Sequence, residues 1–318
     1  MAGTGPQALR LARALARVPS LRLVGISSPH VADRDTSAFG EVDRDADLAR
    51  LLARTGADAL VVAAATTAHH ELVLEAIARR IPVLVEKPMT RTLQQAAALA
   101  AHPEAGRVMV AHARCFAPGM LELRRLIASL GEPVRAVFLA VRSRAESHEM
   151  PSTWGRESFL ETFYHAAYLT ASLAGGGVAS VTWAEARRTA RPEWVRVVLG
   201  YPSGCTAEIV WEGSMPDDRA RLAVQAGDTT LTWSSGGEDE ISRESPTGRR
   251  THSVEPGSDT EAMLAAFAEA SLSGMPSPVP ARAGAEALAT VHVMFDAFAE
   301  YLTRPGAPKH VASPLMRG

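Results

Sequence analysis

The first third of the chain alternates short apolar runs with segments in which apolar residues recur at the helical period. Four runs rich in β-branched residues are typical of buried strands, at 21–27, 59–64, 82–85 and 107–111. Segments with helical periodicity flank them, at 6–17, 46–55, 69–79 and 93–101. This alternation predicts βαβ units, and hence an α/β domain with a Rossmann-like, doubly wound parallel sheet.

The pattern changes after a helix predicted at 118–130. Six strand-like segments follow, several of them at hairpin distance, at 134–143, 178–186, 194–201, 205–212, 220–226 and 229–234. They predict an α+β domain with a large, mostly antiparallel open sheet. Residues 235–257 are rich in Ser, Gly, Glu and Pro and predict a mobile loop, before two amphipathic helices at 258–273 and 281–302.

Composition and charge narrow the class of partner. The chain has 318 residues, enough for two domains, with 33 basic and 35 acidic residues. This balance gives no electrostatic attraction to nucleic acid or to an anionic membrane, so we expect a small-molecule partner. No signal peptide and no membrane span are evident. Two cysteines, Cys115 and Cys205, are too few for a disulfide framework or a zinc cluster, so we expect a cytoplasmic protein without a metal site.

A glycine-rich fingerprint opens the first predicted helix. Residues 3–8 have the form G-x-G-x-x-A, in which glycines let the backbone approach a pyrophosphate at the helix N-terminus. A disordered tail that leads into a helix is the competing interpretation. Because only two residues precede the fingerprint, the first strand of the sheet is expected to be missing. Upstream coding sequence, another segment in the gap or a rebuilt sheet would each explain this; we expect the first, so that in-frame upstream codons raise the melting temperature.

Lys87 lies just past a predicted strand, within Glu86-Lys87-Pro88. Ligands of open α/β sheets bind at the carboxyl ends of the strands. Pro88 disfavours a helical conformation at Lys87, so a stiff turn would aim the lysine side chain. A solvated lysine on a loop is the competing interpretation, and the wider sequence context decides between them.

These segments resemble the glucose-fructose oxidoreductase, inositol dehydrogenase and MocA (Gfo/Idh/MocA) family over nearly the whole chain. Residues 59–88, which end in Glu-Lys-Pro, look like the family signature. Residues 114–118 are similar to its Arg-x-Phe-x-Pro at the domain junction, and the helix at 161–173 matches a further motif. The resemblance implies a Rossmann domain at 1–113, a substrate-binding and oligomerisation domain at 114–318, and hydride transfer between NAD(P) and a sugar, polyol or related compound.

Three polar residues fall on one face of the helix at 161–173. Glu161, His165 and Tyr168 have i, i+4 and i+3 spacing. Histidine suits proton transfer to or from an alcohol because its ordinary pKa is about 6.5. In the family this helix carries Asp-x-x-x-His-x-x-Asp, so Glu161 replaces the first acid and Tyr168 the second. The resemblance implies that Lys87 and His165 are catalytic, with Glu161 orienting the histidine.

The resemblance also implies cofactor and substrate contacts. Arg114 and Tyr168 would contact the substrate. Ser28 ends a strand where NAD-specific folds place an acid, so the choice between NAD and NADP is open. The residues expected to bind the cofactor are Gly3, Gly5, Ala8, Ser28, Ala65, Thr66, His70, Glu86 and Lys87.

The sequence therefore favours an NAD(P)-dependent oxidoreductase that acts on a sugar, polyol or related alcohol or ketone. Two alternatives remain. The first is a non-redox descendant that acts as a lyase, cyclase or isomerase. The second is a catalytically silent scaffold subunit without nucleotide binding. Self-association as a dimer or tetramer through the C-terminal sheet is expected by geometry and analogy.

Overall fold

The computed structural model describes residues 1–144, 156–186, 194–215, 219–235 and 240–303. Its helices are α1 Pro6–Leu15, α2 Leu48–Thr55, α3 Thr66–Ala78, α4 Leu93–Ala101, α5 Pro118–Leu130, α6 Arg156–Leu173, α7 Asp259–Ser273 and α8 Ala281–Thr303. Its strands are β1 Gly25–Ser27, β2 Asp43–Asp45, β3 Leu60–Val62, β4 Val83–Val85, β5 Val108–Val110, β6 Val134–Arg144, β7 Ser180–Ala186, β8 Trp194–Gly200, β9 Thr206–Met215, β10 Arg219–Ala226, β11 Thr229–Ser234, β12 Glu240–Ser245 and β13 Gly248–Ser253.

Two compact units divide the chain. Unit 1 comprises Met1–Met120 and Gly257–Leu288, and unit 2 comprises Leu121–Pro256 and Ala289–Gly318. The sequence predicts two continuous domains instead, with a boundary after residue 113. Unit 1 is discontinuous because α7 packs against α1 and against the 3₁₀ turn that precedes α5. The helical period of α7 is visible in the sequence, but the sequence does not show which elements α7 packs against.

The sheet of unit 1 is parallel, in the order β2, β1, residues 1–3, β3, β4, β5. The first three residues pair with both neighbouring strands. The Ser27 amide donates to the Met1 carbonyl at 2.9 Å, and the Ala2 amide donates to the Val61 carbonyl at 2.8 Å. These residues therefore satisfy backbone groups of β1 and β3. This corrects the expectation of an empty first-strand position.

The sheet of unit 2 has the order β13-β12-β11-β10-β6-β9-β8-β7. Only the pair β6 and β9 is parallel among its described strands, so the predicted open, mostly antiparallel sheet is confirmed. The prediction of a mobile loop at 235–257 is wrong where the structure describes it, because β12 and β13 form a hairpin there. Ile241 is the one fully buried residue in these two strands, so they lack the apolar alternation that marks a strand.

The core of unit 2 is aromatic at α6. Phe159 and Phe163 stack with ring centroids 4.3 Å apart, and Phe298 of α8 lies 5.5 Å from Phe159. Tyr164 is fully buried beside them. This packing fixes α6 as a rigid element, which matters because the helix carries three of the predicted site residues.

The described residues offer neither a membrane-spanning helix nor a metal-binding cluster. None of the helices described is long and apolar enough to cross a membrane. Within the same residues, no three His, Cys, Asp or Glu side chains are grouped so as to hold a metal ion. Both cysteines, Cys115 and Cys205, are buried free thiols.

Candidate functional site

Most of the residues predicted to bind the cofactor lie at the carboxyl edge of the parallel sheet in unit 1. Gly5 follows the first three residues, Ser28 follows β1, Ala65 follows β3 and Lys87 follows β4. Parallel strands end on the same side, so unit 1 alone brings these positions to one edge. In open α/β sheets this edge binds ligands.

The glycine loop approaches the neighbouring backbone closely. Gly3 has a φ of +116°, and a Cβ atom placed there would overlap the carbonyl of Ala63. Gly5, which precedes α1, differs because a Cβ there would meet nothing within 4 Å. Ala8 is completely buried. Glycine is therefore required at position 3 by the fold, whereas position 5 leaves open space above the helix.

Helices α1 and α3 both begin at this edge without a side-chain cap. Gly5 caps α1 and Ala65 caps α3, and neither accepts a hydrogen bond through its side chain. By contrast, Asp47 and Thr92 cap α2 and α4 through their side chains. The first N–H groups of α1 and α3 are thus left to bind an anion, which the helix dipole favours.

Glu86 ties the lysine turn to α1. One carboxylate oxygen accepts from Nε2 of Gln7 at 2.5 Å, and the other accepts from the backbone amide of Lys87 at 3.1 Å. Glu86 is buried, at 8% exposed. Its described contacts are with the protein itself, so its predicted contact with the cofactor stays a prediction.

His69 lies at the lysine turn, whereas the sequence pointed to its neighbour His70. Its Nδ1 is 2.9 Å from the Pro88 carbonyl, and its Nε2 is 3.1 Å from the Ala64 carbonyl. Burial lowers the pKa of His69 below its ordinary value. His70 instead contacts Glu71 at 2.9 Å. A signal was present in the sequence, since position 69 shares the apolar helix face of Val73, Ala76 and Ile77.

His112 is a second buried histidine that the sequence pattern does not single out. It is completely buried two residues past β5. Burial, together with the smaller effect of the nearby Lys87 charge, lowers the pKa of His112 to about 3. His112 is therefore neutral throughout the physiological range. The effect of Lys87 on its pKa also indicates that the Lys87 charge lies close to the end of β5.

The depressed pKa of His112 predicts acid sensitivity. The unfolded chain takes up a proton at this residue below about pH 6.5, while the folded chain takes it up only near pH 3, so stability falls across that window as pH falls. Between pH 7.5 and 5.5 we expect a loss of about 1.4 kcal/mol from this residue. Urea denaturation followed by circular dichroism should show this loss in the wild type and not in His112→Gln. An equal pH dependence in the two proteins would contradict the assignment.

The end of β1 carries no acid for a ribose hydroxyl. Ser28 is buried, and its Oγ accepts from the His30 amide at 3.3 Å. Arg114, predicted to bind substrate, is exposed on the 3₁₀ turn Ala113–Phe116. Thr66 is the first residue of α3 and is half-buried.

In unit 2, the three predicted residues of α6 differ in exposure. Glu161 is exposed, His165 is half-buried and Tyr168 is buried at 5%. Their spacing places them on one helix face. Along this face, from Glu161 to Tyr168, the side chains become progressively more buried. A proton-transfer role suits the half-buried position of His165, which combines access with a defined orientation.

Comparison with known proteins agrees with this architecture. The sequence model that matches residues 1–113 is that of Gfo/Idh/MocA, an oxidoreductase family with an NAD-binding Rossmann fold. This match covers about a third of the chain, so the family resemblance is confirmed for residues 1–113. The N-terminal unit has the Rossmann fold that the alternating pattern predicts.

Two named relatives match only part of this chain. Inositol 2-dehydrogenase 2 of Paenarthrobacter aurescens is 29% identical over 193 residues, which is 58% of this chain and 56% of that protein. Inositol 2-dehydrogenase 4 of Saccharopolyspora erythraea is 32% identical over 125 residues, 37% of each protein. The matches therefore span about half or less of the length of these relatives.

Likeness at the level of the fold extends over nearly the whole chain. The solved structure of UDP-N-acetylglucosamine 3-dehydrogenase from Acidithiobacillus ferrooxidans has a TM-score of 0.81 and 16% identity, and covers 95% of this chain and 97% of that one. At this identity the likeness concerns the fold alone. It confirms a Rossmann-like domain followed by a large, mostly antiparallel sheet.

The residues at the carboxyl edge fit the NAD that the family matched by residues 1–113 binds. Gly5 leaves open space above an uncapped helix, as a pyrophosphate requires. The Thr4 hydroxyl lies buried in the same loop with no hydrogen-bond partner among the described residues, and a phosphate oxygen would satisfy it. The glycine loop and the start of α3 are therefore the groups that would hold the dinucleotide.

Proposed function

We propose that the protein is an NAD(P)-dependent oxidoreductase that transfers a hydride between its cofactor and a sugar, a polyol or a related polar alcohol or ketone. The carboxyl edge of unit 1 carries this proposal. There, two helices without side-chain caps begin next to the turn that bears Lys87. The uncapped helix N-termini favour a pyrophosphate, and Lys87 offers an ammonium group to a substrate oxygen. The names of two inositol 2-dehydrogenase relatives support an alcohol substrate.

The amino-acid composition supports a chemical role for Lys87. Lys87 and Lys309 are the only lysines in the sequence, and every other basic residue among the 33 is an arginine. Arginine keeps its proton at all physiological pH values, whereas a lysine amine can exchange its proton when its surroundings change its pKa. We propose that Lys87 donates a hydrogen bond to the reacting oxygen of the substrate.

The proton and the hydride leave an alcohol separately. A bound nicotinamide dinucleotide accepts the hydride from carbon, or supplies it in the reverse direction. We propose that His165 takes the hydroxyl proton during oxidation and returns it during reduction, with Glu161 orienting the imidazole. Arg114 and Tyr168 are proposed to hydrogen-bond the substrate. These roles rest on the family pattern and on the positions of the residues within their units.

Titration with NADH and NADPH tests the proposal directly. All five tryptophans lie between residues 154 and 233, outside unit 1, so the fluorescence of the nicotinamide itself or calorimetry is the better probe. We expect micromolar binding of at least one nucleotide, followed by turnover with a member of a panel of sugars and polyols. Folded protein that binds neither nucleotide would refute the proposal and favour a non-redox descendant.

Replacement of His165 tests the proton-transfer role. His165→Asn should lower kcat by about 10²–10⁴-fold, because general acid–base catalysis contributes roughly that factor. Nucleotide binding should not change, because the proposed nucleotide site lies wholly in unit 1. His252→Asn replaces another half-buried histidine of unit 2 that is not a predicted site residue, and it provides the matched control. A kcat unchanged by His165→Asn would remove the residue from the mechanism.

The setting of the protein is also a proposal. Two free, buried thiols suit a reducing compartment, so we propose the cytoplasm. Self-association through the unit 2 sheet is proposed as well, since Trp183 of β7 is 48% exposed, which is unusual for so large an apolar side chain. Size-exclusion chromatography with light scattering measures the oligomeric state.

A further inference from the structure

His69 lies between two loops that carry predicted site residues. The Ala64 carbonyl belongs to the segment that leads from β3 into α3, and the Pro88 carbonyl follows Lys87 directly. The imidazole is only 1% exposed and contacts both carbonyl oxygens. A single buried side chain therefore joins the start of α3 to the lysine turn.

The two contacts of His69 cannot be equivalent in the neutral imidazole. A neutral ring has one N–H donor, yet both of its nitrogens face carbonyl oxygens, which only accept. The contact from Nδ1 to Pro88 is the shorter, at 2.9 Å against 3.1 Å, and it is fully buried. A buried carbonyl left without a donor is costly, so the proton is best placed on Nδ1.

The Pro88 carbonyl anchors the lysine turn on the side that follows Lys87. Proline has no N–H group, so Pro88 can anchor the turn only through its carbonyl. On the other side, Glu86 accepts from the Lys87 amide. The two anchors lie on either side of the Lys87 Cα atom, which is the arrangement needed to hold a side chain in one direction.

We propose that His69 is a positioning residue for Lys87, acting through a hydrogen bond that its Nδ1 donates to the Pro88 carbonyl. This inference rests on the proposed function in so far as Lys87 acts on the substrate. The contact with Pro88, and not the contact with Ala64, is the one that sets the lysine.

Asparagine and glutamine separate the two contacts. The amide nitrogen of Asn takes the place of Nδ1 and can still donate to Pro88, whereas that of Gln takes the place of Nε2 and can donate only to Ala64. We expect His69→Asn to retain nearly the wild-type kcat. His69→Gln and His69→Leu should lower kcat about tenfold or more, since small errors in placement are costly to catalysis. The Kd of the nucleotide should change less than kcat, because the Nε2 contact with Ala64, next to the start of α3, is not the one that carries the proton.

A second readout needs neither cofactor nor substrate. Protein labelled with ¹³C at the lysine ε-carbon gives two side-chain signals, for Lys87 and Lys309, and Lys309→Arg assigns them. The pH titration of the Lys87 signal should match the wild type in His69→Asn and should shift in His69→Gln. This comparison still decides the inference if the wild type proves to have no redox activity.

Two results would overturn the inference. Equal effects of His69→Asn and His69→Gln on the Lys87 signal would mean that the residue only fills space. An unchanged Lys87 signal in all three variants would mean that the turn holds the lysine without His69. The Asn and Gln pair suffices for either conclusion even if His69→Leu does not fold.

Discussion

Lys87→Met should lower kcat by about 10²–10⁴-fold while leaving nucleotide binding and stability almost unchanged, because the loss is that of one catalytic donor and not of a core contact. The Lys87 side chain follows β4 and is only half-buried. Lys87→Arg keeps the positive charge but presents a planar fork in place of a point charge. We expect it to recover little of the activity. Steady-state kinetics with the substrate found in the panel measures both variants.

Lys309→Arg is the matched control for these variants, since it replaces the one other lysine. Its kcat should equal that of the wild type. If Lys87→Arg also keeps full activity, the requirement is for charge alone. If Lys87→Met keeps it, Lys87 has no catalytic role and the proposed mechanism is wrong.

Gly3→Ala should destabilise unit 1 by about 3 kcal/mol or more. This figure is the sum of two costs, that of a left-handed backbone angle in a residue other than glycine and that of a clash with the neighbouring backbone. The added Cβ would overlap the Ala63 carbonyl, and neither group sits on a flexible side chain. Relief requires that residues 1–3 move away from β3, which breaks the pairing at the centre of the sheet. Hydrogen exchange at the amides of β1 and β3 should report the loss.

Gly5→Ala provides the contrast for this prediction. Its φ of −76° suits alanine, and its Cβ would meet nothing within 4 Å, so stability should be unchanged. The Cβ would nevertheless occupy the space proposed for the pyrophosphate, and the Kd for NADH or NADPH should rise about tenfold or more. Wild-type affinity in Gly5→Ala would mean that the dinucleotide does not approach α1 at this residue. Tryptophan fluorescence, which reports only on unit 2, should show the same unfolding in both variants.

The regular parts of the fold are visible in the sequence because their burial follows a period. Helices α4 and α5 have the predicted bounds, and β4 and β5 lie within the predicted apolar runs. The hairpin of β12 and β13 escapes prediction because an edge hairpin that is mostly exposed needs no apolar alternation. The pairing of residues 1–3 escapes it too, since a segment this short has no period at all.

The site divides in the same way. The position of Lys87 follows from a local rule, because a residue after a parallel strand must lie at the carboxyl edge. The roles of His69 and His112 depend on which carbonyls and charges the fold brings to them, across distances in sequence such as the 19 residues from His69 to Pro88. Helical periodicity could have identified His69 as buried. No local pattern could have identified its partner.

The return of α7 to unit 1 has a consequence for biosynthesis. Residues 1–120 are synthesised long before Gly257–Leu288. Only after the later segment is made can α7 cover α1, and only then can the Val110 amide donate to the Val279 carbonyl, 2.9 Å away. At about 5–20 residues per second the delay is roughly 7–27 s. During that interval the surface of α1 that α7 covers in the folded protein stays uncovered, so unit 1 completes its folding late in translation although most of its sequence is made first.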